Sequence, residues 1–260
     1  MIRAKKKFGQ NFLIDNQIIN LIVDEIKFSE TTKYLEIGPG MGALTSELQK
    51  KTKNLDLIEI DPDMIKTLIA KLNSTTQLFE GDVLGFKDKF FERYNVVLGN
   101  LPYYISTEII FRFIPINNVN TLYFMVQKEV ADRLVAKKGS KDNSILTNLV
   151  GFNFRAEKCF DIKPESFDPA PKVTSSFIKL TRHKDYVNEI AYVDYKRIIK
   201  ESFKFKRKNL KNNLKDILNL NDFENLEILP TQRAEDLSIE DFIKITKYVI
   251  SDAYREFLLI

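Results

Sequence analysis

Cysteine and histidine are almost missing from this chain of 260 residues, which has one of each, Cys159 and His183. A single cysteine excludes an internal disulfide, and the two residues offer too few soft ligands for a Cys/His zinc site, so metal chemistry would rest on carboxylates alone, and no metal centre is expected. Long apolar runs are also lacking. None approaches the roughly 18 residues that cross a bilayer, and Phe8-Gly-Gln-Asn-Phe-Leu-Ile-Asp15, behind the basic start, is too polar for a signal-peptide core. A cytoplasmic protein with no membrane partner is therefore expected. Glycine and proline are sparse, at 9 and 8 residues, with no low-complexity tract, which argues against disorder. What remains is ordinary globular material, 44% hydrophobic and 29% charged, in a chain long enough for one large core and a smaller second domain.

Acidic residues are scarce in two segments. The first ten residues hold four basic side chains and no acidic one, and residues 196–215 hold nine basic against one acidic. The rest of the chain carries 27 basic against 35 acidic residues, so two cationic segments belong to an acidic body. Clustered cations gain by releasing counterions from phosphates, which marks Lys5, Lys6, Lys7, Lys204, Lys206, Arg207, Lys208 and Lys211 as candidate RNA-type polyanion contacts. A merely solvated helix face is the other reading of such a run. Phe203 and Phe205, set among the lysines, suit base stacking and packing of a helical domain equally.

From residue 33 to about 180, short β-rich runs alternate with helical patterns, as in βα units on a largely parallel sheet. The runs are Tyr34–Ile37, Leu55–Ile60, Gln77–Glu80, Asn95–Leu98 and Leu122–Val126. Ser106 and Thr107 are candidate N-caps for the helix after the fourth run. Apolar stretches at 152–160 and 173–180 read as a closing pair of strands around a Pro-containing loop. From Tyr192 the pattern is helical, and Ser238-Ile-Glu-Asp241 resembles a capping box for the final helix. A boundary in the polar stretch after Arg182 predicts domains of 1–185 and 186–260.

The first run ends in Glu36-Ile-Gly38-Pro-Gly40-Met-Gly42, where glycine permits a sharp turn and close approach of a ligand at the strand ends of a doubly wound sheet. The spacing is G-x-G-x-G, not the G-x-G-x-x-G of dinucleotide sites, which weakens an oxidoreductase reading without removing it. Glu59, 21 residues after Gly38, is placed to accept ribose hydroxyls, and Asp82 to accept from an adenine amine. Each acid alone could be a solvated strand end.

The fourth run leads into Gly99-Asn100-Leu101-Pro102-Tyr103-Tyr104. An aromatic amine is a poor nucleophile because its lone pair is delocalised, so methyl transfer to it needs acceptors for the N–H bonds. The Asn100 side-chain oxygen and the Leu101 carbonyl supply two, Pro102 fixes the loop, and Tyr103 is placed to stack on an extruded base. An Asn-Pro turn with tyrosines covering a strand end is the plainer alternative.

Together with Lys7–Asp15, Glu59-Ile-Asp61, Gly81-Asp-Val83, Gln127–Leu134, Phe167-Asp-Pro-Ala-Pro-Lys-Val173 and Gln232-Arg-Ala-Glu-Asp-Leu-Ser238, these motifs make the chain resemble the ribosomal RNA adenine N6-dimethyltransferase family, on the small-subunit side. Relatives that methylate large-subunit rRNA usually show N-I-P-Y and lack Q-R-A-E-D-L-S. The resemblance implies an α/β, Rossmann-like class I methyltransferase domain with a mixed seven-stranded sheet, then a small all-helical domain that contacts RNA. It implies S-adenosyl-L-methionine as cofactor, held by Asn11, Leu13, Glu36, Gly38, Gly40, Glu59, Asp82 and Asn100. It places the target adenine on Asn100, Leu101, Pro102 and Tyr103, with Phe167 on its other face. The implied reaction is dimethylation of two adjacent adenosines near the 3′ end of 16S-type rRNA, on the immature small ribosomal subunit, by a monomer. One departure is Asn143-Ser144, where relatives commonly show Tyr-Gly, which leaves the path of that loop open but not the chemistry. A non-catalytic RNA-binding assembly factor on the same fold is the competing class.

Overall fold

The computed structural model describes Lys5, residues 8–186 and residues 188–258, with side chains of the final helix described to Ser251. The chain divides into two compact units, one running to Ala131 and resuming over Ala156–Arg182, the other made of Asp132–Arg155 and the chain from His183 onward.

The first unit opens with β1 (Phe12–Leu13) and α1 (Asn16–Glu25). It continues through β2 (Tyr34–Ile37), α2 (Ala43–Lys51), β3 (Leu55–Glu59), α3 (Pro62–Ile69), β4 (Leu78–Glu80), α4 (Asp88–Phe91) and β5 (Val96–Asn100). Next come α5 (Ser106–Arg112), β6 (Thr121–Gln127) and, leaving the unit, α6 (Lys128–Leu134) and α7 (Ile145–Gly151). β7 (Phe154–Ile162), β8 (Phe167–Asp168) and β9 (Ser175–Arg182) return to it. The main sheet has seven strands in the order β4-β3-β2-β5-β6-β9-β7, with β9 antiparallel to β6 and the first five strands parallel. This is the mixed seven-stranded α/β sheet that the resemblance implies.

All five alternating runs become strands, and the central ones are covered on both faces: every residue of β2 and β3 is buried, while the edge strand β4 is only partly covered. One face packs Tyr34, Leu57 and Leu98 with Ile22 and Leu48 of the covering helices. β2 and β5 approach so closely that a Cβ at Gly99 would run into the Ile37 carbonyl oxygen. Strand order turns at this pair, since β3 and β4 extend the sheet on one side and β6 on the other, and the crevice beyond their carboxyl ends is where such sheets bind ligands. A separate antiparallel pair joins β1 to β8, with Leu13 opposite Phe167. Asp15 caps α1, accepting from the Gln17 and Ile18 amides and from the Ser166 hydroxyl. Ser106 is not a cap; it begins α5, and its hydroxyl donates back to the Tyr103 carbonyl at 3.1 Å.

The second unit is helical: the end of α6 from Asp132 and α7, then α8 (Tyr192–Ser202), α9 (Leu210–Asn213), α10 (Leu220–Asn225) and α11 (Ile239–Leu258). Ser238 and Asp241 form a reciprocal capping pair that starts α11. A single cut after residue 185 therefore needs correcting, because Asp132–Arg155 belongs with the later helices. The reason is Asn143: buried, it donates to the carbonyls of Glu235 and Leu237 at 2.9 and 3.1 Å and accepts from Asn148 at 2.8 Å. The departure Asn143-Ser144 thus fixes the path of its loop, with Ser144 opening α7 through Thr147.

Candidate active site

Three glycines of the turn after β2 adopt left-handed backbone, at φ 64° for Gly38, 56° for Gly40 and 82° for Gly42, a region that L side chains rarely enter. Glu59, at the end of β3, braces the turn by accepting the Gly40 amide at 3.1 Å, while its second oxygen accepts the Ile60 and Asp61 amides at 2.9 Å. Glu36 accepts the Thr45 hydroxyl at 2.7 Å. Both acids are buried, and both line a cavity of about 300 Å³ with the glycine turn. Burial pushes the Glu36 carboxyl up to about 8, against the hydrogen bond from Thr45. Burial also raises Glu59, against three backbone amides that favour its ionised form. A cavity walled by two reluctant carboxylates suits a small ligand that brings positive charge and hydroxyl donors. A Cβ added at Gly38 would meet only the Asn100 carbonyl, at 3.9 Å, so the turn leaves room against its backbone.

The loop after β5 forms the other wall. The Asn100 side-chain amide donates to the Asn11 carbonyl at 2.7 Å, which turns its oxygen to the accepting role. Leu101 is tied to β6 through its amide and the Met125 carbonyl at 3.2 Å, and Pro102 holds φ at −58°. The Tyr103 hydroxyl is hydrogen-bonded to the Ser175 hydroxyl, which pins the half-buried ring, and burial raises its pKa, against the Ser175 hydrogen bond, so that it remains a phenol. Asn11, Leu13, Glu36, Gly38, Gly40, Glu59, Asn100, Leu101 and Pro102 all line the one cavity, although they come from four places in the sequence.

Other predicted residues lie elsewhere. Asp82 is exposed and accepts the Leu84 amide at 2.9 Å, capping its own short 3-10 turn, and it does not line the cavity. Phe167 is a correction: it is 3% exposed and packs in the core with Leu13, because β8 is held against β1, so its ring is not offered to a base. Lys5 is a second correction. Its ammonium lies 2.6 Å from both Asp61 and Asp63, so its charge is neutralised within the fold. Lys6 and Lys7 lie outside the described residues. Lys206, Arg207, Lys208 and Lys211 are exposed as expected, while Lys204 pairs with Glu201 at 2.9 Å. Cys159 sits partly buried in β7, where burial pushes its thiol up to about 11, an inert state.

Sequence reasoning missed Asp61, Ser175 and Gln10. Asp61 is fully buried, caps α3, and accepts from Lys5 and from Gln10 at 2.9 Å, tying the segment that carries Asn11 to the end of β3. The Asp61-Pro62 pair signals a cap in the sequence, but nothing local signals its distant partners.

Comparison with known proteins gives a consistent result. The family model described as ribosomal RNA adenine dimethylase matches residues 1–251. The chain is 39% identical over 257 residues to ribosomal RNA small subunit methyltransferase A of Marinomonas sp. (strain MWYL1), covering 95% of this chain and 96% of that one. Identity to the protein of the same name from Neisseria gonorrhoeae (strain ATCC 700825 / FA 1090) is 36%, over 96% and 98% of the two chains. Among solved structures, a dimethyladenosine transferase from Plasmodium falciparum superposes with a TM-score of 0.78 at 27% identity, over 90% of this chain and 95% of that one. The 23S rRNA methyltransferase ErmE, at 21% identity and a TM-score of 0.73 over 92% and 100% of the chains, shares the fold.

Proposed function

This chain belongs to the ribosomal RNA adenine dimethylase family, and from that premise we propose that it places two methyl groups on N6 of each of two adjacent adenosines near the 3′ end of small-subunit rRNA during subunit assembly. The observation that carries the reading is the shared cavity of the Gly38 turn and Asn100, whose amide is oriented by the Asn11 carbonyl so that its oxygen accepts. A target amine set between the Asn100 oxygen and the Leu101 carbonyl gives both N–H groups an acceptor. That arrangement favours the geometry in which nitrogen's lone pair is available and stabilises the positive charge it develops. Tyr103, pinned by Ser175, offers one ring face to the extruded base.

S-adenosylmethionine fits the cavity by chemistry: Glu59 would meet ribose hydroxyls, an ionised Glu36 would favour the cationic end, and the Gly38 and Gly40 backbone would lie against the ligand. When bound it supplies an electrophilic methyl group on a sulfonium. Asn11 and Leu13 close the same cavity from the N-terminal side. The residues Lys206, Arg207, Lys208 and Lys211 supply phosphate contacts. Support for the small subunit comes from the names of the relatives and from Gln232–Ser238, the segment whose carbonyls Asn143 binds. Small subunits from cells lacking the gene, incubated with the protein and methyl-labelled donor, are expected to gain dimethyladenosine at two neighbouring 3′-terminal positions. Label appearing only in large-subunit rRNA, or none at all, would refute the proposal.

A further inference from the structure

Two phenylalanines flank Lys204, and the structure gives them different surroundings. Phe203 is half-buried and lies against the buried Phe242, with ring centroids 5.9 Å apart. Phe205 is 57% exposed, between Lys204 and the exposed run Lys206, Arg207 and Lys208. Packing of the helical unit therefore explains the first ring and not the second. The loop that carries Phe205 is held in shape chiefly by Asn213. Asn213, buried at the end of α9, donates to the carbonyls of Ser202 at 2.7 Å, Phe205 at 3.3 Å and Lys208 at 3.5 Å, and accepts the Phe205 amide at 3.2 Å. The Lys208 amide closes a turn onto the Phe205 carbonyl at 2.9 Å.

An aromatic ring held out among cations on a stapled turn has the chemistry of a single-strand contact: the cations meet phosphates and the ring meets a base face. Only unpaired nucleotides expose that face, because paired RNA keeps its bases stacked and shows a protein mainly phosphate and 2′-hydroxyl. Pre-shaping of the turn by Asn213 lowers the ordering cost at binding. We propose that Phe205 stacks on an unpaired RNA base, with Asn213 as the positioning residue that presents it. This rests on the reading of the chain as an rRNA-binding enzyme and adds the kind of RNA that the loop takes.

The sequence contains no tryptophan, so Phe205→Trp in the full chain installs a lone tryptophan at the site, excited selectively over the tyrosines. Titration with a short single-stranded oligoadenylate is expected to quench its emission, while inorganic polyphosphate, which has charge but no base, binds without quenching. Phe205→Ala is expected to weaken the oligoadenylate about 10-fold and duplex RNA much less, with Phe205→Tyr retaining affinity. Asn213→Ala, checked for folding by thermal melting, should weaken single-stranded binding alongside Phe205→Ala, with little further loss when the two are combined. Equal quenching by polyphosphate overturns the stacking. So does unchanged affinity of Phe205→Ala for single-stranded RNA. If Phe205→Ala binds normally while a Lys206/Arg207/Lys208→Gln variant binds poorly, stacking is wrong and the RNA surface stands. If both bind normally, RNA does not use this loop and both ideas fall. A blue shift on adding ribosomal protein, with no quenching by RNA, would assign the ring to a protein contact instead.

Discussion

Glu36 and Glu59 are buried, hydrogen-bonded and raised above the ordinary carboxylate range, in a cavity whose walls are braced by amides. Lys206, Arg207 and Lys208 are exposed on a turn shaped by backbone hydrogen bonds to Asn213 and by the Lys208 amide on the Phe205 carbonyl, not by ion pairs of their own side chains. The first region fixes its acids in place before a ligand arrives and shields them from water and salt. The second leaves its charges in water, where their attraction to phosphate is long-ranged, sequence-blind and easily screened. Chemistry and capture thus rest on different physics, so substitutions in the two regions should fail in different ways.

The largest separation is expected from Asn100→Ala. Loss of a preorganised polar group at a reacting centre costs on the order of 10²- to 10³-fold in rate, so methyl incorporation should fall by that much while the thermal midpoint and RNA affinity stay near wild type. A variant that loses RNA binding equally would erase the distinction. Changing Lys206, Arg207 and Lys208 together to Gln should do the reverse, lowering the slope of log affinity against log salt by about 2–3. The single-turnover rate at saturating RNA should hardly move, and quenched-flow assays at two salt concentrations would measure both.

A pH experiment sharpens the buried side. The folded protein holds a proton on Glu36 up to about pH 8, whereas the unfolded chain releases it in the ordinary carboxylate range. More protons on the folded state mean that this residue's contribution to stability falls as pH rises through that window and levels off above about 8. Urea unfolding across that range should show the slope, and Glu36→Gln should flatten it. Affinity for a cationic methyl donor should rise over the same window in the wild type and not in Glu36→Gln. The smallest effect belongs to Lys204→Ala, whose cation is already paired with Glu201. It should weaken RNA binding less than Lys206→Ala in side-by-side anisotropy titrations.

Much of the fold could be read from local pattern. The five parallel strands fall within a residue or two of the β-rich runs; in β2 and β3 burial on both faces demands largely apolar stretches, while β4 at the sheet edge is only partly covered. The Gly38 turn and the Asn100 loop were also readable, since both follow strands directly and the sheet topology delivers them to one crevice. What escaped depends on distant partners. A count of lysines places Lys5 with Lys206, yet Asp61, 56 residues onward, takes its charge. Phe167 reads as a candidate stacking ring, but the β1–β8 pairing turns it into core. Asp82 ends a βα unit as expected and then serves its own turn. The segment 132–155 has no sequence mark that detaches it from the sheet; Asn143 does so through carbonyls more than 90 residues away.

The short ladder between Phe12–Leu13 and Phe167–Asp168 has a consequence for synthesis of the chain. Phe12 and Leu13 supply part of the cavity wall, and the strand they pair with emerges about 150 residues later. A nascent polypeptide halted before Phe167 would already contain the glycine turn and Asn100 but would lack the partner on which its own N-terminal wall is hung. Closing so long a loop is slow and comes late. Arrested translation products of increasing length should therefore acquire the ability to retain the methyl donor abruptly, once the stretch around Asp168 has left the exit tunnel.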